Sequence, residues 1–297
     1  MINLVCPDFI MGHSVYKILL PLVNKYPYIV QDNRRIHSIY GNYPGMIWAG
    51  GWINIKGVIY LKDDIQDKLN FYNSYGVKLT LTCTNTKLKK IHLLDTYGNL
   101  VLSLWDNNSV LVAMPELEEH IRKYFPTIKI NKSIVATRNE DWPHNYEEYE
   151  LVVLKRRLNP FLSSIELPPE LKERAEISCN DLCLDNCPRL YNHYDIDSLA
   201  ALQFDDTIEG IACPYMKEKG SPFCQYHREH NLKTYISTEK VNELNKLGYN
   251  YFKLSGRGDF ACILETVVQY LIKSEYQSDV RQLVYHHILE GGKRNGN

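Results

Sequence analysis

The chain has 297 residues, 44% hydrophobic and 23% charged, ordinary proportions for a folded protein with a sizeable core. Thirty-four basic residues against thirty-five acidic ones leave a net charge of -1. That balance offers no general attraction for a phosphate backbone, which disfavours extended nucleic-acid binding, and no apolar run reaches the length of a membrane span.

The segment "MINLVCPDFIMGHSVYKILLPL" opens with a strand at 2–6 and continues into a helix from Ser14. It has no basic residues ahead of its apolar ones and is interrupted by Asp8 and His13, so no signal peptide is expected and the protein is expected to be soluble and cytoplasmic. Asp8, at the end of that strand, is a candidate polar group. The run "GMIWAGG" (45–51) reads as a second strand before "DDIQDKLNFYNSYG", whose Asp63 and Asp64 suit a helix start. Strands are predicted at 77–83, 110–114, 127–137 and 149–154, with a helix over 115–124. Further strands are predicted at 207–213 and 250–256, and helices at 238–247 and 259–274.

Strand and helix thus alternate, and the strands are apolar runs rather than strict alternations. That pattern points to parallel strands covered by helices. Seven or eight such units in a chain of this size predict one TIM-like (β/α)8 barrel spanning 1–297, with chemistry where strands end and loops begin. A doubly wound sheet is the alternative. Gly50 and Gly51 let backbone approach a ligand or merely form a tight turn; Trp48 and Trp52 stack on a planar ring or pack. His144 sits in a polar stretch that reads as solvated loop.

Five of the eight cysteines lie between 179 and 224, and in a reducing compartment such a cluster favours metal or redox chemistry over disulfides. "ISCNDLCLDNCPRLYNHY" spaces Cys179, Cys183 and Cys187 four apart, as on one helix face. Its Asn and Asp residues and Pro188 make a buried helix a poor fit, so a loop at the barrel mouth, a cysteine-rich insertion over 179–230, is expected. Cys213 and Cys224 follow in "ACPYMKEKGSPFCQYHREH", where His227 and His230 keep zinc with mixed ligands open beside an iron–sulfur cluster. Arg189 and His193 either contact an anionic cosubstrate or lie exposed on a helix. Lys253 and Arg257, around the glycine turn of "FKLSGRGDF", suit a carboxylate or phosphate. No Walker loop, "HExxH" pair or serine–histidine–acid order is present.

"YELVVLKRRLNPFL", "ISCNDLCLDNCPRLYNHY" and "GYNYFKLSGRGD" resemble, in order and spacing, landmarks of the collagenase-like peptidase family, often labelled peptidase family U-thirty-two. "YGNYPGMIWAGGW" and "VLVAMPELEEHIRKYFPTIKINKSIVATRN" extend the likeness over roughly residues 36–275. The resemblance implies a TIM-like barrel and, in its iron–sulfur branch, oxygen-independent hydroxylation of a planar ring such as a nucleobase, nucleotide or quinone precursor. Prephenate is the anionic cosubstrate it suggests. It implies a [4Fe–4S] cluster held by Cys183, Cys187 and Cys213, with Cys224 as fourth ligand and Cys179 as the alternate. Arg189, His193, Lys253 and Arg257 are the catalytic candidates. A peptidase or zinc-dependent hydrolase of the same fold, and a non-catalytic subunit of a heteromeric complex, are the other readings; assembly as a homo- or hetero-oligomer is compatible with each. "WAGGW" and Lys155 depart from the family pattern, which implies a different substrate.

Overall fold

The computed structural model describes residues 1–50, 59–138, 140–181, 190–203, 234–256 and 260–294. Eight parallel strands close on themselves in sequence order: β1 Ile2–Pro7, β2 Arg34–Gly41, β3 Lys78–Cys83, β4 Ser109–Val112, β5 Lys129–Lys132, β6 Val152–Val153, β7 Ala175–Ser178 and β8 Tyr251–Lys253. Around them run α1 His13–Lys25, α2 Lys62–Ser74, α3 Thr96–Ser103, α4 Pro115–Tyr124, α5 Pro169–Arg174, α6 Leu190–Gln203, α7 Thr238–Lys246, α8 Phe260–Leu271 and α9 Gln277–Arg294. This is a (β/α)8 barrel.

Local sequence explains most elements. α4 opens on Pro115 at its first turn with Glu116 and Glu118 and closes on Arg122 and Lys123, each sign matched to the helix dipole. Asp95 caps α3 by accepting from Gly98 N–H at 2.6 Å, and Ser237 caps α7 by accepting from Lys240 N–H at 3.2 Å. The second strand lies at 34–41, not at 45–51. Met46, Trp48, Ala49 and Gly50 are buried for another reason: Trp48 is sealed beneath α3 and donates from Nε1 to the His92 carbonyl at 2.8 Å. The strand expected at 207–213 lies outside the described residues.

Strand register sorts the side chains by face. Leu4, Ile39, Leu79, Leu81, Val110, Val112, Val152, Ile177 and Phe252 face the helices and form the apolar core with them. Lys132 shares that outer face and donates to Glu118 Oε2 on α4 at 2.7 Å. The inner face carries Asn3, Ser38, Thr80, Ser109, Asn131, Glu176 and Ser178, all buried. Branched aliphatic residues usually fill a barrel of this kind, so its lumen is unusually polar.

Candidate functional site

The lumen is held together by its own polar groups. Thr80 and Ser109 share a hydrogen bond of 2.7 Å, and Asn131 Nδ2 reaches Ser109 Oγ at 3.5 Å. Near the C-terminal end, Lys253 donates to Glu176 Oε1 at 2.9 Å while its ammonium sits 4.4 Å from the centre of the Tyr40 ring. Tyr40 in turn donates to the Leu254 carbonyl at 2.8 Å. Lys253, an anion-binding candidate in sequence, is therefore an enclosed ammonium already matched by a carboxylate.

Above the lumen, α6 crosses the mouth. The chain leaves β7, yet α6 docks on the loops after β3 and β5, and β3 stands four places from β7 around the barrel. Asp195 is the centre of that docking: its carboxylate accepts from Thr86 Oγ1 at 2.6 Å, Lys87 Nζ at 2.8 Å and Arg138 Nη2 at 2.5 Å. Desolvation alone would raise this carboxyl, but the hydrogen bonds from Lys87, Thr86 and Arg138 outweigh it and lower it to about 2. One turn on, Ser198 accepts from Thr86 N–H at 2.9 Å, and its carbonyl accepts from Asn85 Nδ2 at 3.0 Å. Tyr191 donates to the Arg138 carbonyl at 2.8 Å with the guanidinium over its ring. A cleft of about 570 Å³ opens beside this junction, lined by Thr86, Lys87, Met114, Thr137 and Arg138.

The β6 and β7 ends complete the rim. Arg156 pairs with Asp181 at 3.3 Å and Arg157 with Asp141 at 2.6 Å. Lys155 is 6% exposed and donates to the Arg138 carbonyl at 2.9 Å. Asn180 bridges β7 to β8 as a strand would: its Nδ2 donates to the Ser255 carbonyl at 2.8 Å and its Oδ1 accepts from Ser255 N–H at 2.7 Å.

Of the residues singled out in sequence, Cys183, Cys187, Arg189, Cys213, Cys224, His227, His230, Arg257, Gly51 and Trp52 lie outside the described residues. His193 stands on α6, half-exposed, 3.8 Å from Asp197. Cys179 extends β7 on its helix-facing side, within the apolar core, and burial pushes its thiol far up despite the opposing charge of Arg34. Asp8, at φ +53, turns its carboxylate onto the Ile10 and Met11 N–H groups at 2.9 Å each, so it stabilises the first loop. Gly50 lies against Thr84, whose carbonyl oxygen is 2.6 Å from where a Cβ would stand; a backbone crossing requires this glycine. His144 is exposed and pairs with Glu140. Among the described residues no group of three or more His, Cys, Asp or Glu could hold a metal ion, and no helix is long and apolar enough to cross a membrane.

Asp195 and Glu176 were not legible as site residues, and Lys155 stood out only as a departure from the family pattern. Asp195 sits in "NHYDIDSL" among other polar residues, and its partners at 86, 87 and 138 are distant in sequence.

No family model and no curated protein matches the sequence. Among solved structures, one described as "The Structure of the U32 Peptidase Mk0906" is 15% identical, with 86% of this chain and 92% of that chain covered at a TM-score of 0.44.

Proposed function

We propose that the chain is an iron–sulfur protein whose cluster lies at the barrel mouth, bound by Cys183, Cys187, Cys213 and Cys224, and that it acts in oxygen-independent hydroxylation of a planar ring. The observation that carries the reading is where the two cysteine-bearing segments are anchored. The first leaves from Asp181, paired with Arg156, and rejoins at α6 over the mouth. The second leaves from the end of α6 and returns at Thr234, whose carbonyl accepts from Asn159 Nδ2 at 2.7 Å. Four thiolates from two segments tethered to one rim are a donor set for [4Fe–4S], and such a cluster supplies one-electron chemistry at a potential set by its surroundings.

The protein's own groups have separate tasks in this reading. α6 covers the lumen and keeps water from the bound ring, and Arg189, His193 and Arg257 contact an anionic cosubstrate of the prephenate type. Lys253, charge-matched by Glu176, positions the lumen wall. Purification without oxygen, followed by iron and acid-labile sulfide analysis, tests the proposal. Equal iron and sulfide should be found, lost on Cys183→Ser, Cys187→Ser, Cys213→Ser or Cys224→Ser and retained in Cys179→Ser. A colourless protein with one equivalent of zinc overturns it in favour of a zinc-dependent hydrolase.

A further inference from the structure

We propose that Lys155 is a carbonyl-reactive amine, placed just beyond the C-terminal end of β6 to form an imine with a small carbonyl compound entering the barrel mouth.

Three lysines leave strands or strand ends with their ammonium groups enclosed, and two of them are charge-matched: Lys132 by Glu118 at 2.7 Å and Lys253 by Glu176 at 2.9 Å. Lys155 differs. Among the described residues no carboxylate pairs with it, and its hydrogen-bond acceptor is the Arg138 backbone carbonyl, which it shares with the Tyr191 hydroxyl. The amine thus has donors to spare, and among the described residues no carboxylate lies within ion-pair distance of it, Asp141 being paired with Arg157 instead.

Position supports reactivity. Val153 pairs with Glu176 and so faces the lumen, Leu154 continues the ladder and packs in the apolar core, and Lys155 returns to the lumen face at the C-terminal end of the strand. That end of a barrel strand is where chemistry gathers. Burial, then the charge of Arg157, lower the amine from its ordinary value, with Asp141 and Glu140 opposing. A lysine desolvated beside another cation is a recognised way to expose a nucleophilic amine.

The step balances without a redox partner. The Nζ lone pair attacks the carbonyl carbon, an N–C bond forms, and the oxygen leaves as water carrying both amine protons. The resulting imine draws electrons from the adjacent carbon. The proposal does not depend on the iron–sulfur reading, and its test needs no iron.

The full chain is incubated with pyruvate and sodium cyanoborohydride near neutral pH, digested and mapped by mass spectrometry. The expected result is one reductively added pyruvate on Lys155, with Lys132 and Lys253 unmodified, and loss of that adduct in Lys155→Arg, which keeps the positive charge. Label on exposed lysines such as Lys62 and Lys89 with Lys155 unmodified, or no label at all, overturns the proposal. Because site mapping on the unaltered protein decides the matter, a folding defect in the variant cannot obscure it.

Discussion

Glu176 has a side chain 2% exposed and is matched inside the barrel by Lys253. Breaking an enclosed pair by removing one partner strands the other's charge, typically at about 3–5 kcal/mol, whereas replacing both by apolar groups is far milder. Glu176→Gln should therefore lower unfolding stability by about 3 kcal/mol, and the double variant Glu176→Leu/Lys253→Met by clearly less, as read from urea denaturation. Asp195 gives a pH signature. Its carboxyl is lowered from 3.8 to about 2, so the stability it contributes is fully present above about pH 4 and is lost as pH falls through about 2. With its cationic partners partly exposed, that contribution is roughly 1–2 kcal/mol. Melting temperatures between pH 5 and pH 2 should fall less steeply for Asp195→Asn than for the unaltered protein.

At the scale of elements, α6 is held over the mouth chiefly by charged and hydroxyl groups that meet salt water, unlike the apolar contacts that seat α1 and α8. Asp195→Ala should speed amide hydrogen exchange in α6 while leaving β1–β4 protected, and raising salt to about 1 M should push the unaltered protein the same way. Gly50→Ala forces a Cβ against the Thr84 carbonyl and should cost about 1–3 kcal/mol in a thermal melt. Elements whose signals are local were legible in sequence: α4, with its proline, acids and bases in dipole order, matches its expected span of 115–124. β2 was missed because two arginines open it and a bulge at His37 breaks its alternation. Arg34 is buried all the same, its guanidinium donating to the Tyr270 carbonyl and, at 2.9 Å, to that of Thr238. The apolar run at 45–49 was mistaken for a strand because burial beneath α3 and burial in a sheet demand the same residue types. The latch on α6 left no trace, since its four members become neighbours only when β3, β5 and α6 are assembled.

For the molecule as a whole, alternation of strand and helix, with seven or eight units in a chain of this size, favoured the barrel over a doubly wound sheet, because each βα unit buries one apolar face and eight such units close. What alternation cannot show is which inner-face residues stay polar, and the lumen of Asn3, Ser38, Thr80, Ser109, Asn131 and Glu176 is the feature that sets this barrel apart. Closure itself ties the beginning of the chain to its end: Asn3, Leu4 and Val5 pair with Tyr251, Phe252 and Lys253. While the ribosome is still making residues between those two segments, the earliest strand has a naked flank with nothing native to pair with, a ready template for another nascent chain. Synthesis of β8 therefore decides whether the earlier strands settle, and a chain truncated before residue 250 would yield sticky, chaperone-bound polypeptide rather than a smaller working protein.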